Sequence, residues 1–440
     1  MGAVQASQAP ADAATARFSK LRLQRGASAM VVLTLLASAI NYGSNVIFSR
    51  VLNPAGYGEL TALFALAVVL SVPTAAAQTV IAGRIAVYTA EGRPDRVRYF
   101  VRHALAHVSV IAAVAGLVYL AATPLVVKLL GLRHAGVAIA LTPVLVLAFV
   151  QPVALGVLQG LERFTAFGLM MIAIAVSRIA FGVPWAAVEH GAGGALGGQA
   201  VGMLVVLGVA AWAMRGMLIG RGTGAATAGL KRRPDARTLS ASAAFIGFAI
   251  ISNFDLVLAK MFLSPHDSGV YAALSTIGKI IIFTPAAIAV IMVPSAAKAR
   301  VGDGSSARVL RVSALLVGVT VILAAIPAIL APHLVIKVMF GSKYLAASDG
   351  VLPMVAAGAG LAMTYLLVVY SVAISDRRWV LLLVFGVVLQ IAGIAAFHHS
   401  PAQVATVQAA VALFVLASNE ILFHPIVSPK PGLRRRLVTR

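Results

Sequence analysis

Apolar runs of about twenty residues recur along the chain with only short polar stretches between them, and this pattern decides what the chain can become. A run of that length matches a helix crossing a hydrocarbon core of roughly 30 Å. Backbone in lipid must satisfy its own hydrogen bonds, so each run reads as a helix. Twelve are expected, over 27–49, 58–83, 103–127, 137–160, 164–187, 193–214, 238–262, 269–293, 309–331, 350–373, 379–397 and 402–423. The composition agrees, since 60% of residues are hydrophobic and only 11% charged, about half the charge of a soluble domain. The expected fold class is an all-α polytopic membrane protein.

The formal net charge of +22 is explained by orientation once the basic residues are sorted by alternate loops. One set holds Arg50, Lys128, Arg133, Lys260, Lys337 and Lys343, and nearly all the other Lys and Arg residues fall in the opposite set or at the termini. Both termini are therefore expected in the cytoplasm. The clusters "LKRRPDAR" (230–237) and "LRRRLVTR" (433–440) read as orientation signals that touch anionic membrane lipid, and no nucleic-acid partner is expected. Residues 1–26 carry Arg17, Lys20, Arg22 and Arg25 without an apolar core, as a basic cytoplasmic tail rather than a cleaved signal peptide. The absence of cysteine excludes disulfides and thiolate metal sites. No cofactor is expected.

A Gly- and Arg-rich linker over 215–237 divides the chain into an N-lobe (27–214) and a C-lobe (238–423), followed by a basic tail (424–440). The lobes repeat one another. "VLNPAGYGELTAL" (51–63) lies over "FLSPHDSGVYAAL" (262–274), pairing Pro54 with Pro265 and Gly58 with Gly269. Deeper in the same helices "SVPTAAA" (71–77) matches "FTPAAIA" (283–289). A proline there frees a carbonyl and bends the helix, as suits a cavity wall. Two six-helix lobes entering the membrane in the same sense form a parallel repeat, a transporter architecture with its site between the lobes. The run "GAGGALGGQAVG" (191–202) reads as close helix packing.

Three stretches carry a family resemblance: "FSRVLNPAGYGELTALFAL" (48–66), "NFDLVLAKMFLSPHDSGVYAALSTIGKII" (253–281) and "MFGSKYLAASDGVLPMVA" (339–356). In their order and spacing they resemble the polysaccharide, or lipid-linked oligosaccharide, flippases of the multidrug/oligosaccharidyl-lipid/polysaccharide (MOP) exporter superfamily. The matching features are a first hairpin with Arg, Leu, Pro and Tyr-Gly, a seventh-helix Asp followed by Gly-x-Tyr, and a Phe-Gly-x-x-Tyr loop before helix ten. The resemblance implies a MATE-like, non-enzymatic transporter of the bacterial cytoplasmic membrane, working by alternating access. It also implies a cationic cavity for the head group of a polyprenyl-diphosphate-linked glycan, with glycosyltransferases and a glycan polymerase as partners.

Charges inside the spans single out the candidate residues. Counting at 1.5 Å per residue puts Arg178 about 13 Å, Lys279 about 15 Å and Asp255 about 10 Å below one membrane boundary. Such residues are functional candidates by default. Arg178 offers a permanently charged fork of donors to phosphate. Asp255 and Lys279 lie on one hairpin and are expected to meet, either as an ion pair fixing the hairpin or in substrate or ion coupling. Arg84 ends span two where a head group would load, though it also suits a positive-inside anchor. Asn41, Asn45, Gln78, Gln151, Gln159 and Asn253 join the candidate cavity lining, with interhelical hydrogen bonding as their commoner role. Tyr365, Tyr370 and Glu420 are weaker candidates.

Rival functions are a multidrug or organic-cation antiporter, which would favour carboxylates over Arg178 and Lys279, a peptidoglycan-precursor flippase, and a membrane glycan polymerase or ligase, which would require a sizeable outer loop. "GRPDRVR" (92–98) is one residue short of the Gly-x-x-x-Asp-Arg loop of major facilitator transporters. His103 and His107 have the spacing of a metal pair but lack a third ligand nearby.

Overall fold

The computed structural model describes residues 9–189, 191–218, 236–283, 306–374 and 378–423. Pro285, residues 219–235, the 301–305 loop segment and the C-terminal tail lie outside them. In chain order the α-helices are α1 (Ala9–Val51), α2 (Pro54–Ser71), α3 (Pro73–Ala90), α4 (Pro94–Leu130), α5 (Ala135–Gly160) and α6 (Phe164–Ser177). A π-helical turn (Arg178–Gly182) joins α6 to α7 (Val183–Glu189), followed by α8 (Ala192–Ala213), α9 (Arg215–Leu218), α10 (Ala236–Ile251), α11 (Phe254–Phe262) and α12 (Pro265–Phe283). Then come α13 (Ser306–Leu330), α14 (Pro332–Met339), a 3₁₀ segment (Ser342–Gly350), α15 (Val351–Ile374), α16 (Arg378–Ala396) and α17 (Pro401–Phe423).

Among the described residues 11 stretches are long and apolar enough to span a membrane. The one expected span not among them, the eighth (269–293), begins within α12, and its remainder lies outside the described residues. Large apolar side chains such as Leu117, Ile322 and Leu381 project outward, where lipid replaces water as solvent. Against lipid there is no hydrophobic drive between helices, so small residues bring backbones together. The glycine-rich α8 does this: Gly198 sits against the backbone of Phe181 and Gly202 against Ser177, both in the fifth span. The expected tail is in part helical, since α1 begins at Ala9 and runs unbroken into the first span.

Among the described residues three spans are interrupted. Pro73 divides the second span into α2 and α3. The fifth span loosens into a π turn that starts at Arg178, and such turns are concentrated at functional sites. The seventh breaks at Ser252 and Asn253, with Asn253 (φ −133°) at the start of α11. That break frees the Ile251 carbonyl, which accepts hydrogen bonds from Gln390 Nε2 at 3.0 Å and Gln408 Nε2 at 2.9 Å. The two glutamines also bond each other at 2.6 Å. Amide side chains thus replace the hydrogen bonds that lipid cannot provide.

The halves close on each other at one end. Asn53 caps α2, accepting from the Gly56 N–H at 2.8 Å, and Pro54 occupies the first turn. Repeat-related glycines then meet: a Cβ on Gly58 would lie 2.8 Å from Gly269 N, and one on Gly269 would overlap the Pro54 carbonyl. Around this seam the Tyr57 and Thr276 hydroxyls bond at 2.9 Å, and Tyr344 donates to the Ser49 carbonyl at 3.0 Å. The Tyr57 and Tyr344 rings pack edge to face at 5.9 Å. Arg50 donates to the carbonyls of Val338 and Met339. Gly341, at φ +97°, supplies the turn that places Tyr344 and favours glycine. All three stretches that carry the family resemblance converge here.

Lys260, counted with the loop cations from sequence, is buried instead. It pairs at 3.7 Å with Glu59 of the opposite half.

Candidate functional site: a polar cluster between the halves

Arg178 opens the π turn and points inward, only 9% exposed. Its guanidinium is held by neutral groups, donating to Asn41 Oδ1 and Asn45 Oδ1 at 2.8 Å each. The two asparagines stand one turn apart on α1 and so present their carbonyls along one face. The Phe64 and Phe48 ring centres lie 4.1 Å and 5.5 Å from the charge, two cation–π contacts. The Nε–H has no partner. No carboxylate neutralises this cation among the described residues. The fork therefore keeps an unpaired donor.

Asp255 lies in the first turn of α11, 2% exposed. A carboxylate there is favoured by the helix N-terminus, which carries partial positive charge. Its Oδ2 accepts from Tyr271 Oη at 2.9 Å and Ser275 Oγ at 3.1 Å, both on α12, while Oδ1 has no partner. The expected direct contact with Lys279 is absent among the described residues, which show no ion pair between them. Lys279 instead donates to Asn253 Oδ1 at 3.0 Å, so the break in the seventh span gives the ammonium its ligand. The reason is local: unwinding at Asn253 turns its amide toward α12, and Tyr271 and Ser275 occupy the carboxylate. Lys279 remains within electrostatic reach of both Asp255 and Arg178.

A space of about 10 Å³ lies beside Asp255, Ser275 and Lys279, on the order of one water molecule. Larger cavities open elsewhere. One of about 610 Å³ lies at the closed end beside Glu59, Arg133, Trp185 and Glu189. Another, of about 480 Å³, lies at the opposite end beside Arg93, Arg98 and Arg163.

The remaining candidates stand apart from this cluster. Gln78 donates to Gln159 at 3.2 Å, joining α3 to α5. Arg84 is half-buried on α3, and no hydrogen bond or ion pair joins it to Arg178 or Lys279 among the described residues. Gln151, Tyr370 and Glu420 are half-buried, and Tyr365 packs 5.1 Å from Phe248. His103 and His107 each bond the carbonyl four residues earlier, at 3.0 and 2.8 Å. Arg98 pairs with Asp95 at 3.9 Å within the Asp-Arg stretch.

Sequence reasoning missed Tyr271, Ser275, Glu59 and the Gln390–Gln408 pair. For Tyr271 and Ser275 a signal existed, since they are four apart on a helix hairpinned to Asp255. Ser252 and Asn253 just before Asp255 also have the residue types of a helix start.

No protein-family model matches the chain, and no curated protein matches it by sequence. Solved structures do match it in fold. An inward-facing multidrug resistance MATE family transporter of the MOP superfamily superposes with a TM-score of 0.67 at 14% identity, over 89% of this chain and 98% of that one. The lipid II flippase MurJ in an inward closed conformation gives 0.69 at 11% identity, over 89% and 87%. An outward-facing MATE family transporter gives 0.57 at 16% identity, over 91% and 94%. The chain therefore has the two-lobed, all-helical membrane fold shared by transporters of the MOP superfamily.

Proposed function

We propose that the protein is a MOP-type transporter that flips a polyprenyl-diphosphate-linked oligosaccharide or polysaccharide precursor across the bacterial cytoplasmic membrane by alternating access. The distribution of Lys and Arg supports cytoplasmic termini, which puts the closed end outside. One observation carries the choice of cargo: Arg178 is a buried cation held by neutral oxygens, with an unpaired Nε–H. A buried charge without a counter-ion is costly in lipid, and a diphosphate supplies the missing anion. An organic-cation exporter would find repulsion there from Arg178.

In this reading Arg178 and Lys279, one from each half, receive the diphosphate, and Asn41, Asn45 and Asn253 hold them in place. Asp255 keeps the C-terminal half close to neutral. Arg84 and the arginine-lined cavity at the other end favour the loading of an anionic head group from the cytoplasm. Glycosyltransferases and a polymerase would supply and consume such a cargo.

The test is a reconstituted flipping assay with a fluorescent polyprenyl-diphosphate oligosaccharide, run beside an organic-cation uptake assay. Flipping that needs Arg178, with no cation transport, is expected. Cation transport together with flipping indifferent to Arg178→Ala would overturn the assignment.

A further inference from the structure

We propose that the cavity of about 480 Å³ at the end opposite the glycine seam is a binding site for an acidic membrane phospholipid, with its phosphate held by Arg93, Arg98 and Arg163. Such a site is independent of the cargo and of the direction of transport.

Two helix–helix turns built alike supply the cations. In each, a residue with left-handed backbone, Gly92 at φ +66° and Glu162 at φ +56°, precedes an arginine that starts the next helix. The arginine N–H closes the turn, Arg93 on the Tyr88 carbonyl at 3.0 Å and Arg163 on the Leu158 carbonyl at 2.9 Å. The α3–α4 and α5–α6 turns thus each deliver an arginine to one cavity, and Arg98 joins them from farther along α4. No side chain caps α4 or α6, so their first-turn N–H groups add to the positive field. No carboxylate lines this cavity, whereas Arg133 shares the cavity at the closed end with Glu59 and Glu189. Arg93 and Arg98 reach Glu91 and Asp95 only at 3.9 Å and near the surface, and Arg163 forms no ion pair among the described residues. Exposed pairs of that kind are worth little, so a phosphate can displace them.

The rest of the lining selects a lipid over a free anion. Val97, Leu161, Met214 and Met217 give the cavity an apolar wall beside its three cations, which matches an amphiphile with a charged head. The depth matches too. Trp212, 66% exposed, lies at the end of the sixth span with Arg215 stacked 4.4 Å from its ring, and such side chains mark the headgroup level. Acyl chains would remain in the hydrocarbon around α8, where Val205 and Val209 are exposed. Every lining residue comes from positions 89–217, before the C-terminal half begins, and neither Arg178 nor Lys279 is among them. A ligand seated here therefore travels with one half and is a resident of the protein, distinct from a cargo passed between halves.

Native mass spectrometry of the full chain, stripped of lipid in detergent, tests the site. It is titrated with phosphatidylglycerol, with phosphatidylcholine of the same acyl chains, and with pyrophosphate. One phosphatidylglycerol should bind at a concentration at least about tenfold lower than phosphatidylcholine. Arg163→Gln should weaken phosphatidylglycerol about fivefold and leave phosphatidylcholine unchanged. Arg93→Gln with Arg163→Gln should abolish the preference, and the single variant carries the test where the double one folds poorly. Lys128→Gln, an equal loss of charge at the opposite end of α4, should keep the preference. Equal retention of the two lipids overturns the proposal, as does a preference that survives the double variant or falls equally in Lys128→Gln. Pyrophosphate binding that depends on Arg163 without any lipid preference would make this a soluble-anion site and overturn it as well.

Discussion

The two halves bury charge at similar depth by different means. In the N-terminal half Arg178 rests on two asparagine carbonyls and two phenyl rings, all neutral. In the C-terminal half Lys279 and Asp255 are present together, each with its own polar ligands, Asn253 for the one and Tyr271 with Ser275 for the other. The C-terminal cluster nearly balances its own charge. The N-terminal one does not, since every group that holds Arg178 is neutral. An internal repeat has thus kept a symmetric seam, Gly58 against Gly269, and made its interior asymmetric.

The sharpest way to break this comparison is at Arg178. Arg178→Ala should lower flipping by at least about 100-fold, the effect of losing charge-assisted hydrogen bonds of ~3 kcal/mol, with folding retained in gel filtration. Arg178→Lys should recover little, because a point charge cannot reproduce the fork. Full activity in Arg178→Ala would make the two halves equivalent.

Asp255→Asn should act on stability first. It leaves Lys279 as a second uncompensated cation and should cost about 3 kcal/mol in a detergent unfolding experiment. Asp255→Asn with Lys279→Met should restore most of that loss, and the coupling from the double-mutant cycle measures how far the cluster is self-contained. Simple additivity would dissolve the contrast between the halves.

Gly269→Ala places a methyl group against the Pro54 carbonyl. Overpacking of about 1–3 kcal/mol should move the population toward an open seam by roughly fivefold to 150-fold, visible as faster labelling of a cysteine introduced at Tyr344. The smallest effect is expected at Gln408→Leu, where one ligand of the Ile251 carbonyl is lost and Gln390 remains, for about 1 kcal/mol of stability and no change in cargo selectivity.

Much of the architecture was legible in the sequence because lipid permits so few backbone solutions. Length and apolarity alone gave the spans, and Pro54, Gly58, Pro265 and Gly269 revealed the repeat. Counting along the spans grouped Arg178, Lys279 and Asp255, and Lys279 lies within electrostatic reach of the other two. Partnership was not legible, because counting residues along a helix fixes height and leaves rotation open. Asp255 was matched by height to Lys279, yet rotation faces it to Tyr271 and Ser275. Lys260 was assigned to a loop on height alone, and its rotation buries it against Glu59. The break at Asn253 is made by Ser-Asn without a proline, and the π turn at Arg178 has no residue signature at all.

The meeting of Gly58 with Gly269 has a mechanical corollary. Where main chains touch without intervening side chains, there is no rotamer to swing aside and no partial fit to settle into. Such a joint tolerates little displacement before its contacts are lost, so this end is held by backbone fit rather than by adjustable side chains.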